Sequence, residues 1–196
     1  MEDNKYKILC TIDSPEDVKK LSLDELRDLC AEIRQYMIEC CSVNPGHLGP
    51  SLGAVELMVG LHYVYDAPKD KLVFDVGHQA YTHKILTGRK DQFDTLRTFG
   101  GLSGFPKRAE SDCDAFDTGH SSTSISAGLG FLEAKKTKPS EIGEVIAVIG
   151  DASVTNGLCF EALNYLAANT NQKMIIIIND NDMSISKNIG FIAKKC

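Results

Sequence analysis

Proline is scarce, at 6 of 196 residues, and no segment is of low complexity or repeats another. With 43% apolar and 24% charged residues, that scarcity excludes a globally disordered chain. Also missing is any apolar run near the ~20 residues that cross a bilayer. Basic clusters are absent apart from Lys135-Lys136-Thr137-Lys138, which reads as the solvated last turn of a helix. A formal charge of -6 agrees, and no nucleic-acid surface is expected. Cysteine is not scarce, with 7 residues, but the count is odd and no C-x-x-C occurs. With no signal-peptide pattern either, a disulfide scaffold is excluded and a reducing, cytoplasmic compartment is expected. Cys30, Cys40 and Cys159 lie in apolar helical patterns, where cysteine acts as a small buried hydrophobe. No G-x-x-x-x-G-K-[ST] loop exists, and Gly128-Leu129-Gly130 lacks a third glycine and sits inside a helical pattern. No G-x-S-x-G elbow is present.

What is there is a regular alternation of elements. Tyr6 to Ile12 reads as a short strand, and Ser14-Pro15-Glu16-Asp17 as a helix start. Ser22-Leu23-Asp24-Glu25 is a capping box, Ser22 being the N-cap. Its helix runs to about Cys41, with Leu26, Leu29, Ile33, Met37 and Ile38 at helical spacing. Asn44 to Pro50 is rich in breakers, and Ser51 is expected to cap a second apolar helix through about Tyr63. Lys71 to Asp75 predicts a buried strand, followed by Val76-Gly77-His78-Gln79 and a helix ending by Gly88. Residues 97–121 form a glycine-rich loop, and ordered loops of that length are usually functional. Ser122 to Lys135 is helical, with small residues first, which permits close packing.

Val145 to Ile149 and Met174 to Ile178 are strands, joined by a helix from Gly157 to Ala168. A right-handed crossover makes them parallel and adjacent, so their carboxyl ends face one way. The order of elements predicts an α/β fold with an open, mostly parallel sheet flanked by helices. Residues 1–21 are expected to form an N-terminal arm, and residues 22–196 the α/β core.

Ligand groups in such sheets gather at the strand carboxyl ends. Asp151 and Asn181 follow the two strands, one strand-helix-strand unit apart. A carboxylate and an amide oxygen, with a backbone carbonyl nearby, suit a hard octahedral cation such as Mg²⁺. The same residues read equally as a cap for a helix starting near Thr155 and a polar turn over 179–182. His47, His78 and His120 each follow a glycine, in loops or at strand ends. Glycine allows close backbone approach to a ligand and histidine can carry a proton near neutral pH. They lack zinc spacing. Asp117 to Ser124 could bind an anion at a helix N-terminus, or serve as a serine-rich N-cap. His62 and His83 fall within helical patterns and read as packing or surface residues.

Gly150-Asp151 followed by Asn179-Asp180-Asn181 resembles the diphosphate-and-metal motif of thiamine-diphosphate enzymes. Asp75-Val76-Gly77-His78-Gln79-Ala80-Tyr81, the run from Gly119 to Gly128 and the run from Asn179 to Ser186 resemble the 1-deoxy-D-xylulose-5-phosphate synthase family. The likeness covers the chain from about Asp24. It implies that Asp151, the Asn181 side chain and the Met183 carbonyl hold Mg²⁺ against the cofactor diphosphate. It implies cofactor contacts from His78, Gly119, His120, Ser121, Ala152, Ser153 and Asn181, and a proton-moving role for His47, with His78, near the reacting carbon. The substrates implied are pyruvate and glyceraldehyde 3-phosphate, joined after decarboxylation into a precursor of isoprenoids, thiamine and pyridoxal. The cofactor carries the carbanion chemistry and the protein orients it. The full-length form is expected to be a homodimer.

Two departures from the family pattern stand out. The motif Gly-Asp-Gly is here Gly150-Asp151-Ala152, which costs about 1 kcal/mol if the third position needs a positive φ and nothing if it does not. Family members also run to roughly three times this length. They carry a pyrimidine-binding domain, with the glutamate that activates the cofactor, and a C-terminal domain. The expectation is therefore a truncated diphosphate-binding domain, incomplete at its C-terminus and inactive alone. The alternatives are a degenerate, non-catalytic interaction module and a transketolase-type relative acting on other sugars.

Overall fold

The computed structural model of the chain describes residues 5–168, 171 and 173–180. They form two compact units, one of residues 5–68 with Gly77–Asp117 and one of Lys69–Val76 with the described residues from Thr118 onward.

The first unit is helical. Ser14 caps α1 (Pro15–Val18) through a capping box with Asp17. Ser22 does the same for α2 (Leu23–Val43), its hydroxyl accepting from the Glu25 N–H while the Glu25 carboxylate accepts from the Ser22 N–H. Leu29, Ile33 and Met37 of α2 are fully buried; Leu26 is half-buried and Ile38 exposed. Cys30 is buried as expected, whereas Cys40 is only half-buried.

The strand expected over Tyr6 to Ile12 is instead a 3-10 turn, Leu9–Thr11. Tyr6, Leu9 and Ile12 all enter the core, a spacing of three that suits a 3-10 turn and not the period of two in a strand. Glu32 accepts from the N–H groups of Ile8 and Leu9, and the Lys90 ammonium donates to the carbonyls of Cys10 (2.9 Å) and Ile12 (2.7 Å). Both ends of the turn are thus satisfied by charged side chains.

The second expected helix begins earlier than Ser51. It is α3 (Leu48–Gly53), broken at Ala54 before α4 (Val55–Val64). Pro50 is tolerated in the first turn of α3, where its missing N–H would have had no partner. α5 (Tyr81–Lys84) runs into a π turn, Ile85–Arg89, that is kinked at Thr87 and Gly88, the latter at φ 82°. A left-handed residue there stops the helix, and glycine adopts it without strain.

The second unit is an α/β layer. Its three-stranded sheet has the order β1 (Lys71–Phe74), β2 (Val145–Gly150), β3 (Ile175–Asn179), parallel throughout. β2 is central and buried along its length, which is why it reads as an unbroken apolar run. α6 (Ser124–Thr137), α7 (Asp151–Val154) and α8 (Gly157–Ala168) complete the described elements. Gly128 of α6 lies so near the sheet that a Cβ there would stand 2.7 Å from Met174 Cε and 3.4 Å from Val145 Cγ1. The small face of this helix therefore does allow close approach. No described helix is long and apolar enough to cross a membrane.

Candidate functional site

In the sheet unit the register pairs Gly150 with Asn179, so β2 and β3 end level with each other. Asp151 follows β2 and starts α7, with Gly150 as its N-cap. Asp151 does not cap a helix starting near Thr155: it is the first residue of α7, and Thr155 is the C-cap of that helix. Asp151 and Ser153 are half-buried and Ala152 is exposed. Ala152 lies inside α7, and among the described residues the positive-φ non-glycine residues are Val76, Arg97 and Ser122. Alanine at this position therefore carries no left-handed strain. Asn181 and Met183 lie outside the described residues. Among the described residues no group of three or more His, Cys, Asp or Glu side chains could hold a metal.

The segment ahead of α6 is exposed at Gly119, His120 and Ser121 and then turns inward at Ser122 and Ser124. The anion held at this turn is a carboxylate of the chain itself. Asp75, just past β1, accepts from the Ser122 N–H (2.7 Å), the Ser124 N–H (3.1 Å) and the Ser124 hydroxyl (2.9 Å). The amides of Ser122 and Ser124 are thus occupied. The Ser122 hydroxyl donates to the Ser153 carbonyl at 2.9 Å, tying this turn to α7. Thr118 Oγ1 is buried and makes no hydrogen bond among the described residues.

In the helical unit, His47 and His78 are brought together, their rings edge-on with centroids 6.0 Å apart. His47 is the N-cap of α3, and its N–H donates to the Tyr81 hydroxyl oxygen at 2.9 Å. Gly46 makes that contact possible, since a Cβ there would meet the same oxygen at 2.5 Å. Ser51 is not a cap; its hydroxyl donates to the His78 carbonyl. Phe105 lies 5.3 Å from the His47 ring, centroid to centroid. Burial, and then the charge of Arg97, lower the His47 pKa and favour neutral imidazole. Its Nδ1 is buried with no hydrogen-bond partner among the described residues, an atom available to a ligand.

His62 and His83 are core residues of an ionic network and not bystanders. His83 Nε2 lies 2.9 Å from Asp114 Oδ1, and His83 Nδ1 lies 2.9 Å from His62 Nε2. Arg89 grips Asp114 with both terminal nitrogens, at 2.7 and 2.8 Å, and Lys84 reaches Glu110 at 2.5 Å. These bonds fasten residues 110–114 of the glycine-rich loop. The partners lie 21 to 31 positions apart, beyond the reach of local pattern. The one hint was a pair of histidines inside helical stretches.

The fold defines an α/β protein with a parallel sheet, in which Asp75 and Asp151 follow the carboxyl ends of β1 and β2. Residues 9–196 match the family model described as 1-deoxy-D-xylulose-5-phosphate synthase, and the chain belongs to that family. It is 59% identical over 186 residues to the 1-deoxy-D-xylulose-5-phosphate synthase of Carboxydothermus hydrogenoformans, covering 95% of this chain and 30% of that protein. Against the protein of that name from Desulfotalea psychrophila it is 56% identical over 190 residues, 97% of this chain and 29% of the relative. 1-Deoxy-D-xylulose-5-phosphate synthase 1 of Geobacter metallireducens is 56% identical over 186 residues, 95% of the chain and 29% of that protein. The chain thus spans about 30% of the length of the curated relatives it matches.

Proposed function

We propose that this chain is the diphosphate-binding part of a thiamine-diphosphate-dependent 1-deoxy-D-xylulose-5-phosphate synthase. The observation that carries the reading is the level ending of β2 and β3 at Gly150 and Asn179, in a chain of this family. That register places Asp151 just past the end of one strand and Asp180 just past the end of its neighbour.

The donor set fits the implied groups. Asp151 would hold Mg²⁺ with the Asn181 amide oxygen and the Met183 carbonyl, all hard oxygen donors that leave positions for water and diphosphate oxygens. Gly119, His120, Ser121, Ala152, Ser153 and Asn181 would contact the diphosphate end of the cofactor. Of these, Gly119, His120 and Ser121 are exposed, as a ligand contact requires. His78 would contact the cofactor as well. His47, with a neutral ring and an unpartnered Nδ1, would hold or move a proton at that nitrogen. The bound cofactor would supply the electron sink for decarboxylating pyruvate and joining the remaining two carbons to glyceraldehyde 3-phosphate.

The rest of the relatives' length would supply the pyrimidine-binding and C-terminal domains, the activating glutamate and the homodimer interface of a cytoplasmic enzyme. This part alone would bind cofactor without turning over. The test is a thermal melt with and without millimolar Mg²⁺ and thiamine diphosphate, followed by circular dichroism. A ligand at a hundred times its Kd stabilises by about 2.7 kcal/mol. An unchanged melting temperature at millimolar ligand overturns the reading.

A further inference from the structure

We propose that Asp75 is a positioning residue for the diphosphate-binding segments, acting through Ser122. This rests on the reading of residues 119–121 and 151–153 as cofactor contacts.

Asp75 is 1% exposed and has no salt-bridge partner among the described residues. A buried carboxylate of that kind persists only if donors replace water. Here they are the amides of Ser122 and Ser124 and the Ser124 hydroxyl, at the N-terminus of the fourteen-residue helix α6. The positive end of that helix adds to the same field. The Asp75 N–H donates to the Val148 carbonyl at 2.7 Å, extending the ladder between β1 and β2. The carboxylate is therefore mounted on the sheet, and α6 is hung from it.

The backbone around this contact is bent to make it. Val76, directly after Asp75, has φ 57°, and Ser122 has φ 69°. Left-handed valine is rare because its branched Cβ crowds the carbonyl, and such conformations persist where surrounding contacts force them. A plain helix cap requires neither. Ser122 also passes the constraint on, because its hydroxyl holds the Ser153 carbonyl. One carboxylate thereby fixes the direction in which the chain leaves Gly119-His120-Ser121 and, one bond further, the start of α7. Both segments then present donors without ordering on binding, and preorganisation of that kind converts to affinity.

The experiment compares Asp75→Asn and Ser122→Ala with the wild-type chain and with Arg89→Lys, a destabilised control whose substitution lies in the helical unit. Affinity for magnesium thiamine diphosphate is measured by calorimetry, at a temperature where circular dichroism shows each chain folded. Hydrogen exchange of residues 118–124 is measured without ligand. The expected result is about a tenfold weaker affinity for Asp75→Asn, the scale seen when groups supporting a ligand site are removed. Ser122→Ala loses affinity in the same direction, exchange over 118–124 speeds up in Asp75→Asn, and Arg89→Lys binds as wild type. Wild-type affinity in folded Asp75→Asn overturns the proposal, as does an equal loss in Arg89→Lys. Should Asp75→Asn not fold, Ser122→Ala decides, and unchanged affinity in it overturns the proposal. A wild-type chain that binds nothing overturns the cofactor reading itself, and the positioning role with it.

Discussion

His83 Nε2 and Asp114 Oδ1 lie 2.9 Å apart, and both side chains are fully buried. Burial alone would raise the Asp114 pKa, but the Arg89 and His83 hydrogen bonds overcome it and hold the carboxyl well below the usual range. The carboxylate therefore accepts, and His83 Nε2 carries the proton. His83 Nδ1 is then an acceptor for His62 Nε2–H, so one proton arrangement satisfies both contacts with neutral rings. Burial lowers the pKa of both histidines, most strongly for His62, while Asp114 opposes the shift at His83.

The pH dependence of stability follows. A histidine held neutral in the fold charges more readily once unfolded, so the unfolded state binds more protons below its pKa of about 6.5. Stability is fully present above that pH and falls as pH falls, by up to about 1.4 kcal/mol per unit for each proton taken up. Asp114 adds its own loss only below about pH 4, where the unfolded carboxyl protonates. Urea unfolding at pH 5, 6, 7 and 8 should show this slope. His62→Leu should flatten it between pH 5 and 6.5, while lowering the plateau by about 1–2 kcal/mol because His83 loses its donor. An unaltered slope would mean the pair is not what titrates.

Arg89→Lys should cost about 2 kcal/mol or more, although charge is conserved. Arg89 meets Asp114 through both terminal nitrogens, and a lysine ammonium cannot reproduce that fork. The loop that carries Glu110 and Asp114 should loosen with it. Limited proteolysis is the readout, with faster cleavage within residues 103–114 expected and wild-type resistance counting against the network as a fastener.

The strand-helix-strand from Val145 to Asn179 is legible because β2, buried between its neighbours, is an unbroken apolar run, β3 is a run of four isoleucines, and α8 falls where its apolar periodicity puts it. The capping box at Ser22 was legible because both partners lie within one turn. Ser51 was misread because its hydroxyl serves a carbonyl 27 positions away, not its own helix. Tyr6 to Ile12 was misread as a strand because apolar residues three apart can imitate alternation over so short a stretch. No local pattern marks Asp75 as an anchor, and the same holds for Asp114. The donors to Asp75 are 47 and 49 positions on, and only the fold brings them to it.

Gly128→Ala should be close to neutral, within about 1 kcal/mol. Alanine gains about 1 kcal/mol over glycine in a helix. The new Cβ meets the terminal methyl of Met174, the flexible end of its side chain. Gly128→Leu cannot be absorbed that way and should cost about 2–3 kcal/mol. Adding Met174→Ala should recover part of that loss, the coupling expected of side chains in contact. Equal losses for both Gly128 variants would show instead that the backbones themselves set the spacing.

Ala152→Gly is the substitution that restores the glycine of the family motif, and it should not improve the chain. Ala152 lies within α7 without a positive φ. Glycine there relieves no strain and widens the unfolded ensemble more than the folded one, at a cost of up to about 1 kcal/mol. Affinity for magnesium thiamine diphosphate should stay within about twofold, since a side chain of one methyl on an exposed residue blocks little. Calorimetry on the two chains decides it. A tenfold gain on restoring glycine, about 1.4 kcal/mol, would mean that the bound state draws this backbone into a conformation that the helix of α7 does not show.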